Sequence, residues 1–300
     1  MTIEHRQILK EAAVKEYIDA YNRKEYISLG YLSKKYHMKR DTISKYIKEA
    51  GGTVINKTNW TPFDEHVFDV IDNEEKAYWL GFLYADGYVG ATHNNIELGI
   101  HIMDLEHLVK FKNFLKIKSD KGITIRDNIC RIRISSPNMH KQLVEKGCTP
   151  RKTWTLRFPN TSIVPDSLIR HFLRGYCDGD GSLGLYKFAA GTTEACISMC
   201  GNLEFVTAAM LKMGVQKSCN IYKRKDSNIV SLNYRCVSAR KVARLLYEKS
   251  TIYLDRKYKI YESFCRFEQE CSKAKSSKIG EDWNVNPEVI SDITKGSEIP

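Results

Sequence analysis

Two stretches decide how this chain folds: AYWLGFLYADGYVG at positions 77–90 and HFLRGYCDGDGSLG at positions 171–184. Each opens apolar and closes on Asp-Gly, at Asp86-Gly87 and again 94 positions later at Asp180-Gly181. A small residue sits on a contact face of each (Gly81, Gly175) and another just before each aspartate (Ala85, Gly179). Small residues let two helix backbones approach closely. Gly87 and Gly181 give the backbone freedom to end a helix and begin a strand. The pattern predicts two helices packed side by side, with Asp86 and Asp180 brought together at their C-terminal ends.

The repetition continues downstream. Positions 97–108 parallel 196–206, positions 131–147 parallel 232–250, and Arg151-Lys152 parallels Arg256-Lys257. Each half reads as helix, two strands, helix, two strands, helix. In Arg131-Ile132-Arg133-Ile134 the basic side chains share one face and the isoleucines the other. Lys187, Lys223, Arg224, Lys225 and Arg235 fall in predicted strands or their loops. The expected fold class is α+β: two halves related by an approximate two-fold, whose sheets join into one cationic saddle. An ordinary solvated sheet face would carry some of the same residues.

Paired carboxylates at helix C-termini repel each other and meet the negative end of the helix dipole. A divalent cation resolves this. Mg²⁺, or a similar ion such as Mn²⁺, prefers carboxylate and phosphate oxygens and keeps several waters. Held there, it could activate water for phosphodiester cleavage. A lone Asp-Gly is usually just a turn, but a turn does not explain a matched pair behind matched apolar helices.

Outward from this core lie two flanks. Positions 1–52 read as helices, with a short helix at 32–36, a turn at 37–39 and a second helix from 41 to 50, stopped by Gly51-Gly52. This resembles a helix-turn-helix DNA-binding unit, which would place Arg40, Thr42 and Lys45 near base edges. His37 stands in the turn where Gly is usual and a left-handed backbone is often needed. A plain helical hairpin is the alternative. Positions 53–76 read as linker and lead-in, 77–170 as the first repeat, 171–272 as the second, and 273–300 as a polar tail with no assigned role.

The formal net charge of +11 favours a polyanionic partner. No run of some 18 apolar residues exists, so a membrane partner is not expected. The N-terminus lacks an apolar signal core, which suggests an intracellular, cytoplasmic protein, with a nucleoid or phage-encoded setting possible in principle. Nine cysteines without a Cys-x-x-Cys pair argue against a zinc ribbon or disulfide framework.

WLGFLYADG (79–87) and LRGYCDGDG (173–181) resemble the nine-residue motif of the LAGLIDADG homing endonucleases. The resemblance spans about positions 63–267. It implies a monomeric pseudo-dimer of αββαββα halves that grips double-stranded DNA in the major groove. It also implies cleavage of both strands across the minor groove, leaving 3′ overhangs. The family's metal-binding acids map onto Asp86 and Asp180, and its basic residues near the active site onto Lys152 and Lys257. At the motif's earlier acidic position stand Tyr84 and Asp178, so the packing or capping role of that acid is expected to be missing from the first copy. Asp104 and Asn202 end motif-adjacent strands and are candidates for positioning water, though both could be helix N-caps. The other readings are a non-cleaving DNA-binding regulator and an RNA maturase on the same fold. An intein origin is disfavoured, since no splice-junction Cys, Ser or terminal His-Asn frames the chain.

Overall fold

The computed structural model describes residues 3–23, 25–54, 63–117, 122–152, 155–187, 192–215, 219–223 and 229–277. Three helices come first: α1 (Ile3–Asn22), α2 (Leu29–Lys35) and α3 (Arg40–Glu49). Helix α2 begins three residues before the sequence-based estimate because Ser28 caps it, accepting a bond from the Tyr31 amide at 3.1 Å. His37 in the α2–α3 turn adopts φ 52°, the left-handed conformation expected of that position. Tyr17, Leu32, Ile43 and Ile47 form the small core of this unit. Arg40 and Lys45 are exposed and Thr42 is half-buried.

Residues 63–73 are not a bare linker. Val67, Phe68 and Ile71 bury themselves in the main core, and the Asp64 amide bonds the Leu115 carbonyl at 2.8 Å. The main body is α+β. Its first half runs α4 (Glu74–Asp86), β1 (Gly87–Val89), β2 (Asn95–His101), α5 (Leu105–Phe114), β3 (Thr124–Arg126), β4 (Ile129–Ser135) and α6 (Pro137–Glu145). The second runs α7 (Ile169–Asp180), β5 (Gly181–Lys187), β6 (Thr193–Asn202), α8 (Leu203–Met213), β7 (Cys219–Lys223), β8 (Ile229–Arg235) and α9 (Cys236–Tyr247). Helix α10 (Asp255–Ser277) follows. Two four-stranded antiparallel sheets result, ordered β1-β2-β4-β3 and β5-β6-β8-β7. Each buries alternate residues against helices: Ile132 and Ile134 face inward from β4, Arg131 and Arg133 outward.

Helices α4 and α7 cross at their glycines. A Cβ added at Gly81 would collide with the Phe172 carbonyl, and one at Gly175 with the Tyr78 carbonyl. A Cβ at Gly179 would strike Ala85 and come within 3.3 Å of Asp86 Oδ2. Close approach at three successive points carries the two C-terminal ends to one place.

Strand register corrects the sequence alignment of the halves. Gly87 pairs with Leu98 and Gly181 with Met199; Leu98 pairs onward with Ile132 and Met199 with Leu232. Arg131 therefore corresponds to Ser231 and Arg133 to Asn233, one residue away from the alignment that set Arg131 against Leu232. A slip of one residue exchanges the two faces of a strand, and apolar alternation in both strands had hidden it.

Candidate active site

Asp86 is the last residue of α4 and Asp180 the last of α7. Among the described residues neither carboxylate has a hydrogen bond or a salt bridge. Both are open to solvent on one side and crowded by protein on the other. Burial of that inner side, reinforced by the charge of Asp180, pushes the Asp86 carboxyl up to about 6. Burial likewise raises Asp180. Lys152 and Lys257 oppose both shifts, and Arg256 also opposes that of Asp86.

The two lysines are held alike. Lys152 Nζ donates to the carbonyl of Gly87, and Lys257 Nζ donates to that of Gly181 at 2.6 Å. These are the carbonyls immediately after the two aspartates. Lys257 also donates to Cys177 O at 2.7 Å and Asp178 O at 2.8 Å, so all three of its protons serve the end of α7. Its burial lowers its affinity for a proton. Lys152 is only half-buried, and Gly87 is its sole bonding partner among the described residues. The repeated Arg-Lys pair implies one role for both lysines, whereas the geometry distinguishes them.

The earlier motif position is filled in both halves. Asp178 is buried and accepts from Tyr247 Oη at 2.6 Å, Tyr78 Oη at 2.7 Å and the Leu254 amide at 2.8 Å. These bonds tie α7 to the segment that leads into Lys257. Tyr84 substitutes for the missing acid by donating its hydroxyl to the Lys146 carbonyl, at the end of α6. The expected loss of this tie in the first half is thus corrected: a phenol reaches a carbonyl where a carboxylate would reach an amide.

Asp104 and Asn202 do not occupy matching places. Asn202 pairs with Ile229, and the residue pairing with the corresponding Ile129 is His101. A 3-10 turn, Ile102–Asp104, separates His101 from α5. Asn202 caps α8 through the Phe205 amide at 2.9 Å and donates to Leu156 O at 2.6 Å, so both ends of its amide are engaged. Asp104 accepts from Arg256 Nε at 3.0 and 3.1 Å. Arg256 is thereby held where its charge reaches Asp86, a contribution that the repeated Arg-Lys pair alone did not assign to it.

The sheet cations divide into three groups. Arg131, Arg133 and Arg235 lie on the open faces, and each is paired with an acid: the first two with Glu97, the third with Glu194 at 2.8 Å. Lys187 pairs in register with Thr193 and Lys223 with Val230, which puts both on the core-side parity at strand ends. Arg224 and Lys225 lie outside the described residues. Among the described residues the second sheet's open face is therefore largely neutral, with Ser182, Ser198, Ser231 and Asn233 across its middle, rather than uniformly cationic.

Among the described residues no cluster of three or more His, Cys, Asp and Glu is present. The site offers two carboxylates without a partner among the described residues, which fits an ion that takes its remaining oxygens from phosphate and water. Among the described residues no helix is long and apolar enough to cross a membrane.

No family model matches the chain, and no curated protein does. Among solved structures it is similar to the meganuclease I-SmaMI bound to uncleavable DNA, at 14% identity and a TM-score of 0.49, covering 75% of this chain and 95% of that one. It is also similar to the LAGLIDADG meganuclease I-AabMI bound to uncleaved DNA, at 14% identity and 0.48, covering 75% and 97%. A third is the I-LtrWI LAGLIDADG homing endonuclease bound to target DNA, at 12% and 0.48, covering 74% and 97%. At that distance the functional reading rests on this chain's own residues.

Proposed function

We propose that this protein is a site-specific, divalent-metal-dependent DNA endonuclease of the LAGLIDADG homing type, acting as a monomer. The observation that carries this reading is the pair of carboxylates, Asp86 and Asp180, unpartnered among the described residues, at the C-termini of two crossing helices from two related halves. A protein that only bound DNA would gain nothing from them, because they repel phosphate. Asp86 and Asp180 would hold Mg²⁺ or Mn²⁺, which supplies charge stabilisation and water activation when bound. Lys152 stands beside them with protons to offer a scissile phosphate. Lys257 and Arg256 add positive charge from fixed positions. The two open sheet faces suit the grooves of a duplex, and α3 with Arg40, Thr42 and Lys45 suits a second, helical contact. The net charge of +11 supports a nucleic-acid partner.

Incubating the full chain with a randomised duplex library, with Mg²⁺ and with EDTA, tests this. Sequencing of new ends should recover one class of site cut only with Mg²⁺. Binding without any metal-dependent cut would overturn the nuclease reading in favour of a regulator.

A further inference from the structure

Register allows the two open faces to be compared position by position. In the first sheet Glu97 pairs with Arg133, and Gly99 with Arg131. At the corresponding positions of the second sheet Ser198 pairs with Asn233, and Cys200 with Ser231. An acid and two guanidinium groups on one face are thus replaced by neutral groups on the other.

The charged trio is a built unit. The Glu97 side chain is only 15% exposed and lies between its partners. Arg133 Nε donates to Glu97 Oε2 at 2.6 Å, and Arg131 Nε lies 3.2 Å from Oε1. Gly99 leaves room beneath Arg131, whose Nε would lie 3.5 Å from a Cβ placed there. Arg133 is gripped through Nε and through Nη2, which lies 2.5 Å from Oε2, whereas Arg131 is held as an ion pair whose Nε makes no hydrogen bond among the described residues. The terminal amino groups of Arg131 and Nη1 of Arg133 have no partner among the described residues. A phosphate anchor needs charge and little orientation, and an acid set between two such anchors would weaken them. A base reader needs orientation, which the acid supplies. The acceptor pair that a guanidinium fork matches in the major groove is O6 and N7 of guanine.

We propose that Arg131 and Arg133, oriented by Glu97, read guanines in one half of the DNA target, and that the positions facing Ser231 and Asn233 in the other half carry no such requirement. This rests on the DNA-binding part of the function proposed above. Two residues of antiparallel strand advance about 6.8 Å, which equals about two base-pair steps. The guanines therefore lie about two base pairs apart. Arg235, held by Glu194, stands two residues beyond Asn233 and does not reproduce the pair.

The test is a randomised duplex library bound by the full chain in EDTA, so that binding is read apart from cleavage. The bound pool is sequenced for wild type, Arg131→Ala, Arg133→Ala and Glu97→Ala. Two guanine positions should appear on one side of the site centre only. Each arginine variant should relax one of them by roughly ten- to a hundredfold. Glu97→Ala should blur both while strengthening overall binding, since it removes a negative charge. A guanine pair in both halves or in neither overturns the proposal. So does an Arg131→Ala pool of unchanged preference and uniformly weaker binding, which marks a phosphate anchor. A pool carrying the guanine pair that Mg²⁺ fails to cut would refute the nuclease reading and leave this inference standing. A library from which nothing is bound would refute both.

Discussion

Lys257 Nζ lies 2.6 Å from the carbonyl oxygen of Gly181, and that bond is one of three that use all its protons. Lys152 makes only the corresponding bond to Gly87 among the described residues. Replacing each with Met should separate them. Lys257→Met leaves three carbonyls at the end of α7 without a donor and should cost roughly 3 kcal/mol or more of stability. Lys152→Met should leave stability within about 1 kcal/mol of wild type while slowing cleavage more than it weakens DNA binding. Urea unfolding and single-turnover cleavage measure the two effects. Equal losses of binding and rate in Lys152→Met would mark it as an anchor.

The Asp86 carboxyl, raised from its ordinary 3.8 to about 6, makes stability depend on pH. Between these values the folded state holds a proton that the unfolded state has released. Metal-free stability should therefore fall as pH rises through that window and stay low above it. Solvent on the open side of the carboxylates screens the effect. Asp86→Asn should flatten the fall and melt higher than wild type at neutral pH without metal. Added Mg²⁺ should stabilise wild type and not the variant. Cleavage should weaken as pH drops, because protons compete with the cation for the carboxylates, and more Mg²⁺ should move that loss to lower pH. Thermal unfolding at pH 4.5 and 7 supplies the comparison.

Tyr84→Phe removes only the hydroxyl that bonds the Lys146 carbonyl. The loss of one buried bond should cost about 1 kcal/mol. If the bond ties α4 to the segment carrying Lys152, cleavage should slow while site preference stays unchanged. Unaltered stability and rate would mean that the phenol does not replace the missing acid.

The crossing helices, the two halves and the paired aspartates were legible in the sequence because small residues and Asp-Gly recur at a fixed interval. The capping serine at position 28 is an equally local signal, and it sets the start of α2. Other features depend on contacts between distant positions. Nothing near Tyr84 points to the carbonyl of Lys146, and nothing near Lys257 announces three carbonyl partners. The face of each cation was legible only where strand register was known. Arg131 and Arg133 alternate with isoleucines, so their side of β4 was plain. Lys187 and Lys223 end their strands, and a count of basic residues could not reveal that they take the core-side parity.

Arg40 and Lys45 are exposed at the start and middle of α3, with Lys45 only 3.8 Å from Glu49. If this unit contacts DNA, the Arg40→Ala, Lys45→Ala double variant should bind more weakly. Loss of two cations from the contact should also make the slope of log affinity against log salt shallower, by up to about two. The folded variant should still cut at high enzyme concentration. An unchanged affinity and slope would assign the three-helix unit another task.

The most direct measurement uses supercoiled plasmid carrying the selected site, with Mg²⁺, and compares wild type with the Asp86→Asn, Asp180→Asn double variant. Asparagine keeps the side-chain size and removes the charge that a divalent cation needs. One gel resolves uncut, nicked and linear DNA. Wild type should linearise the plasmid, while the double variant should bind the site at least as tightly and leave the plasmid supercoiled. Linear product from the well-folded double variant at the wild-type rate would contradict the assigned active site.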